Sequence, residues 1–181
     1  SINCSARQFS GTAFVKTVAP ILEDTGLSPS CLELEIPESM LARPEVKDQL
    51  AALRHLGVRI TIDNYGTGTM ALADLKQFEI DGLKIDKSFV KHVPHRYKDS
   101  ALTASIIDLG RNLGIEVSAG GVETPEQLAY LKSKHCKKVQ GFIFSPPIPA
   151  DEFEELMLSG RLSRINPLPQ PNGETNGRDL H

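Results

Sequence analysis

The stretch Val58-Arg59-Ile60-Thr61-Ile62-Asp63-Asn64-Tyr65-Gly66-Thr67-Gly68 constrains the fold of this chain more than any other. Its apolar run, Ile60 to Ile62, predicts a buried strand. The run stops at a polar pair, Asp63-Asn64, and then at a turn in which Gly66 and Gly68 permit backbone angles that other residues resist. A helical pattern follows from Met70 to Phe78. A polar residue at the end of a buried strand, ahead of a loop and a helix, is where α/β proteins place their chemistry.

The arrangement recurs along the chain. Leu32 to Ile36 reads as a strand carrying Glu35, with Glu38 just beyond it. Gly82 to Asp86 carries Lys84 and Asp86, Ile115 to Ala119 leads into Gly120-Gly121-Val122-Glu123, and Val139 to Phe144 begins with Gln140. Ile2 and Asn3 read as the last residues of a further strand. Helical patterns lie between: Phe9 to Thr25, Pro44 to Gly57, Ala101 to Leu113 and a last one from Asp151 to Ser159. Thr124-Pro125-Glu126-Gln127 has the form of a capping box opening a helix that runs to about Lys134. Val90 to Tyr97 reads as a connection, and the Pro- and Asn-rich stretch from Arg164 onward as a disordered tail. About six strands alternating with helices imply a parallel α/β sheet.

Composition excludes little but agrees with this. A chain of 181 residues is the size of one domain with a real core. Its net charge of −3, with both signs mixed, argues for neither nucleic acid nor membrane as partner. The three cysteines, Cys4, Cys31 and Cys136, form no C-x-x-C pair and suit reduced thiols in a cytoplasmic domain. The histidines carry no pattern; His92 and His95 flank Pro94 in a basic connection and read as surface residues.

The strand-end residues resemble those of a known family. Asn3-Cys4-Ser5-Ala6-Arg7-Gln8-Phe9 is similar to the N-x-S-x-x-Q-F segment of the EAL-domain family, the bacterial cyclic-di-GMP phosphodiesterases. Leu32-Glu33-Leu34-Glu35-Ile36-Pro37-Glu38-Ser39 resembles L-E-x-E-I-T-E-S, and Asp63 to Gly68 resembles D-D-F-G-T-G. Leu83-Lys84-Ile85-Asp86-Lys87-Ser88-Phe89 resembles L-K-I-D-R-S-F, Ala119 to Glu123 resembles A-E-G-V-E, and Gln140-Gly141-Phe142 resembles Q-G-Y. Six motifs in order cover the chain from about Asn3 to Phe153. The resemblance implies a TIM-like (β/α) barrel of EAL type, here lacking the first two strands and first helix, over residues 1–163, with residues 164–181 as the tail.

It also implies a chemistry. Asn3, Glu35 and Asp63 match ligands of the first of two divalent metals, and the position of Asn64 matches the second. Mg²⁺ or Mn²⁺ takes such hard oxygen donors. Strand-end polar residues taken alone would serve equally as helix caps. Lys84 and Glu123 match catalytic positions, Gln140 and Asp86 ligand-binding ones, and Glu38 the carboxylate that steadies the glycine-rich loop. A Schiff-base lysine at a strand end is a further reading of Lys84.

The departures are as informative. The E-A-L tripeptide is absent, the second aspartate of D-D is Asn64, and the proposed general base is Gly120. Metal binding is therefore expected to be weak. The expectation is a degenerate cyclic-di-GMP receptor or protein-interaction module attached to other signalling domains, with homodimerisation open. The alternative is a working metal-dependent phosphodiesterase releasing linear pGpG.

Overall fold

A computed structural model describes residues 1–9, 13–68, 75 and 77–160. They fall into two compact units, residues 1–141 and residues 142–181.

The first unit is a six-stranded sheet in simple sequential order. Its strands are β1 (Ile2–Asn3), β2 (Glu33–Pro37), β3 (Arg59–Tyr65), β4 (Gly82–Ile85), β5 (Glu116–Ala119) and β6 (Lys138–Val139). Every neighbouring pair is parallel. The helices that return the chain between strands are α1 (Ala13–Thr25), α2 (Pro44–His55), α3 (Lys87–Val90), α4 (Tyr97–Leu113) and α5 (Pro125–Ser133). The described strands curl into a half-barrel.

Each strand divides its side chains between two faces, because successive residues point in opposite directions. Leu34, Ile36, Ile60, Ile62, Leu83 and Ile85 form an apolar face, each at most 2 % exposed. Against it lie buried residues of the helices: Val46 and Leu53 of α2, Ile107 of α4 and Leu131 of α5. α2 packs on β3, and α4 on β4 and β5. The opposite face is polar. Glu33 accepts a hydrogen bond from Thr61 Oγ1 at 2.6 Å. Lys138 Nζ lies 2.8 Å from Glu116 and 3.6 Å from Glu33. A β6 side chain thus meets a β2 side chain across the interior, which requires the sheet to be curled rather than flat.

Capping follows the sequence at α5, where Thr124 accepts from the Gln127 amide and Gln127 reaches back to the Thr124 amide. Gly114 ends α4 in the left-handed region at φ 69°.

Several elements differ from their sequence-based bounds. β3 does not stop at Asp63 but continues to Tyr65. Its pairing with β4 runs Ile62↔Leu83 and then Tyr65↔Ile85, so three steps on β3 oppose two on β4. Asp63 and Asn64 occupy a β-bulge, a device that re-aims side chains beside functional sites. Asn64 takes φ 56°, a conformation that asparagine tolerates better than most residues. β6 ends at Val139, because Gln140 and Gly141 turn the chain; a Cβ at Gly141 would lie 2.0 Å from the Val122 carbonyl oxygen. α3 forms between β4 and the expected Val90–Tyr97 connection, capped by Asp86 Oδ1 accepting from the Ser88 amide at 2.8 Å. α4 starts at Tyr97, one turn before Ala101. The helix expected from Met70 lies outside the described residues except for Leu75, which is helical, and Gln77 and Phe78, which are not. Residues 10–12 of the helix expected from Phe9, and the tail from Arg164, also lie outside them.

Beside β1 the apolar surface is open. Ile2, Phe14, Val18, Ile21, Leu22 and Leu34 line a groove of about 630 Å³ between α1 and the sheet edge. The second unit contains α6 (Ala150–Leu158), whose Phe153, Met157 and Leu158 are exposed. Among the described residues no helix is long and apolar enough to cross a membrane.

Candidate functional site

The C-terminal ends of the parallel strands gather the polar residues singled out from the sequence. Register explains the gathering. Asn3 pairs with Glu35, Pro37 with Asp63, and Lys84 with Ser118, so these positions share one rim.

Glu35 is the buried acid of the rim, 6 % exposed. Lys84 Nζ donates to its Oε2 at 2.6 Å, and both side chains are nearly enclosed. Burial alone would raise the Glu35 pKa; the bond and charge of Lys84, together with a hydrogen bond and charge from the Ser1 terminus, outweigh it and hold the carboxyl below its ordinary range. Asp63 goes the other way. Burial raises its pKa, with Glu35 and Asp86 adding repulsion that Lys84 and the Asn64 bond only partly offset. Asn64 Nδ2 donates to Asp63 Oδ2 at 3.0 Å. Asp63 is therefore a carboxylate whose surroundings hold too little positive charge.

Glu38 is buried just beyond β2. Its Oε2 accepts from the amides of Gly66 at 2.9 Å and Gly68 at 3.2 Å, tying the glycine-rich turn to the adjoining strand end. A Cβ at Gly68 would meet Glu38 Oε1 at 2.5 Å, so this approach needs glycine.

The remaining positions are placed as follows. Asn3 is exposed on the edge strand. Asp86 caps α3. Gly120 is buried at the end of β5, its amide bonded to the Ile85 carbonyl at 3.2 Å. Glu123 is exposed, its amide donating to Gln127 Oε1 at 2.7 Å. Gln140 is exposed, its backbone joined to Ala119 and Val122. Cys4, a strand-end thiol next to Asn3, is buried and pushed up to about 11 by burial and then by Glu35, which keeps it protonated and unreactive at neutral pH.

Donor chemistry at the rim fits a hard divalent cation: carboxylates of Glu35 and Asp63, amide oxygens of Asn3 and Asn64, and a surplus of negative charge at Asp63. Among the described residues no group of three or more His, Cys, Asp or Glu side chains is close enough to hold a metal unaided. The fit is thus one of ligand type and charge, with few anionic ligands.

Sequence reasoning missed the polar residues at the opposite, N-terminal ends of the strands. Arg59 reaches Glu116 at 3.0 Å and Glu33 at 4.0 Å, completing a cluster with Lys138. Asp81 accepts from the Ile60 amide at 2.8 Å and pairs with Arg54 of α2. The signal was available: Glu33-Leu34-Glu35 and Arg59-Ile60-Thr61-Ile62-Asp63 alternate strictly, marking one polar and one apolar face.

A parallel α/β half-barrel with hard oxygen donors and a lysine on its strand-end rim defines a barrel-type protein with its chemistry at the C-terminal face. The chain belongs to the EAL-domain family, whose domain matches residues 1–147. It is 38% identical over 170 residues to the cyclic di-GMP phosphodiesterase NbdA of Pseudomonas aeruginosa, covering 93% of this chain and 22% of that protein. The chain thus spans about a fifth of the length of this curated relative. Among solved structures it is similar to the EAL domain of Mycobacterium smegmatis DcpA (TM-score 0.82, 35% identity, 88% of this chain and 72% of that one). It is also similar to the MucR phosphodiesterase in complex with c-di-GMP (TM-score 0.79, 37% identity, 83% and 62%). A manganese and c-di-GMP complex of Klebsiella pneumoniae BlrP1 matches at TM-score 0.75 and 31% identity, covering 81% of this chain and 38% of that one.

Proposed function

We propose that this EAL domain binds cyclic-di-GMP at the strand-end rim and hydrolyses it extremely slowly or not at all. It acts as a receptor or interaction module within a larger cytoplasmic signalling protein. Asn3, Glu35, Asp63 and, weakly, Asn64 hold Mg²⁺ or Mn²⁺; Gln140 and Asp86 contact the ligand; Lys84 and Glu123 occupy the catalytic positions; Glu38 steadies the loop. When bound, the metal supplies Lewis-acid activation of a water.

The observation that carries this reading is Gly120. It stands at the rim beside Lys84, where a Cβ would sit 3.5 Å from Lys84 Cε, yet it offers no group to accept a proton. Loss of a general base costs on the order of 10²–10⁴ in rate. Asn64 adds a second defect by replacing a negative ligand with a neutral one.

The test is production of linear pGpG by the purified chain with Mn²⁺, beside the Gly120→Glu, Asn64→Asp double variant. Product at background from the unmodified chain, and a rise of about 10²-fold or more in the variant, is the expected result. Robust turnover by the unmodified chain overturns the reading in favour of an active phosphodiesterase.

A further inference from the structure

We propose that Lys84 competes with divalent metal for Glu35, and that Gly120 decides the competition in favour of Lys84. With no carboxylate at position 120, the lysine ammonium is committed to Glu35 and opposes cations at the rim. This rests on reading Glu35 and Asp63 as cation ligands, and not on whether the domain turns anything over.

The geometry of the pair comes first. Lys84 Nζ and Glu35 Oε2 are 2.6 Å apart, with side chains only 12 % and 8 % exposed. Charges so enclosed are poorly screened, so an ammonium in hydrogen-bond contact with a ligand oxygen strongly disfavours a dication at that carboxylate.

The second observation concerns what surrounds the lysine stem. A Cβ at Gly120 would lie 3.5 Å from Lys84 Cε and 3.6 Å from the Ile85 carbonyl oxygen, ordinary contact distances. Gly120 is not among the residues with positive φ. Nothing in packing or backbone requires glycine there, in contrast to Gly82, whose Cβ would meet Thr61 Oγ1 at 2.4 Å. A glutamate rooted at position 120 would grow alongside the lysine and offer Nζ a second carboxylate. Gly120 withholds that acceptor. Asn64 works in the same direction at Asp63, where its side-chain amide donates to the carboxylate at 3.0 Å.

Three consequences separate this from a merely structural lysine. Lys84→Met and Lys84→Gln free the Glu35 oxygen and tighten Mn²⁺ binding by roughly ten-fold. Gly120→Glu also tightens Mn²⁺, whereas Gly120→Gln, which cannot neutralise the lysine, does not. In the Gly120→Glu background the gain from Lys84→Met falls to about two-fold or less, because the lysine is already drawn away; groups in direct contact are expected to be non-additive.

The experiment is calorimetric titration of the full chain and these variants with Mn²⁺ alone, together with thermal melting before and after metal addition. Without metal, Lys84→Met lowers the melting temperature by leaving the enclosed Glu35 with only the Ser1 terminus as a partner, and saturating Mn²⁺ raises it more than it raises that of the unmodified chain. Equal or weaker Mn²⁺ binding in both lysine variants overturns the competition. An equal gain from Lys84→Met with and without Gly120→Glu overturns the part assigned to Gly120. An unchanged metal-free melting temperature in Lys84→Met overturns the pair itself. Failure of every variant to bind Mn²⁺ overturns the competition together with the assignment of Glu35 and Asp63 as cation ligands. A pGpG assay then reports separately on the proposed lack of turnover.

Discussion

At the N-terminal ends of the strands, Glu33, Arg59, Glu116 and Lys138 neutralise one another, two acids against two bases. At the C-terminal ends, Glu35 and Asp63 share Lys84, and Asp86 adds to the negative charge on Asp63. Both clusters lie on the same polar face of the same sheet, and burial acts on both. The Glu116 carboxyl is held below its ordinary pKa by its bond to Lys138, against burial, with Arg59 assisting. Asp63 is held above its own by burial that its neighbours do not repay. The floor is a structural solution to placing polar groups inside a half-barrel. The rim keeps a charge imbalance that stability alone would remove, and the proposed ligand site rests on that imbalance.

The largest expected effect comes from breaking the floor. Glu33→Ala removes the acceptor of Thr61 and a partner of Arg59 and Lys138, leaving a donor and two cations under-paired. It costs about 1–3 kcal/mol of folding stability, measured by chemical denaturation. Asp63→Asn on the rim, measured the same way without metal, leaves stability unchanged or raises it. A loss at Asp63 as large as that at Glu33 would erase the distinction between the two ends.

Glycine positions sharpen the same contrast. Gly82→Ala forces a methyl against Thr61 and costs about 1–3 kcal/mol. Gly120→Ala meets only ordinary contacts and changes stability by less than about 1 kcal/mol. A severe loss at Gly120 would mean that the rim is packed as tightly as the middle of the sheet.

The smallest effect is the pH dependence. Glu116 has a folded pKa below its ordinary 4.5, so its contribution is present above that value and is lost as pH falls through the folded pKa. Asp63 has a folded pKa above its ordinary 3.8, so its contribution has the opposite sign: it is fully present below 3.8 and lost as pH rises through the folded pKa. Denaturation midpoints between pH 7 and pH 3 should therefore fall less steeply in Glu116→Gln than in the unmodified chain, and more steeply in Asp63→Asn. The reverse order would assign the uncompensated charge to the wrong end.

The sequence displays the parallel α/β order clearly, because β2 to β5 carry apolar residues that bury and the helices between them recur at regular intervals. At Thr124 to Gln127 the residue types fix the cap locally. The rim residues were legible for the same reason, since register places Asn3 beside Glu35 and Pro37 beside Asp63. The bulge at Asp63-Asn64 was not, because it arises from how β3 pairs with β4, a relation between segments about twenty residues apart. Nor was the Lys84–Glu35 pair, whose partners lie on strands that are not neighbours in the sheet. The floor cluster is hidden in the sequence because Ile60 to Ile62 reads as one apolar run, whereas Thr61 between them faces the polar interior.

The proposed receptor role separates ligand binding from turnover in this domain. The most direct measurement is a calorimetric titration of the purified chain with cyclic-di-GMP, with and without Mn²⁺, followed by quantification of linear pGpG in the same samples. Saturable binding with no pGpG above background is the expected result. Stoichiometric conversion to pGpG, or the absence of any binding, would contradict it.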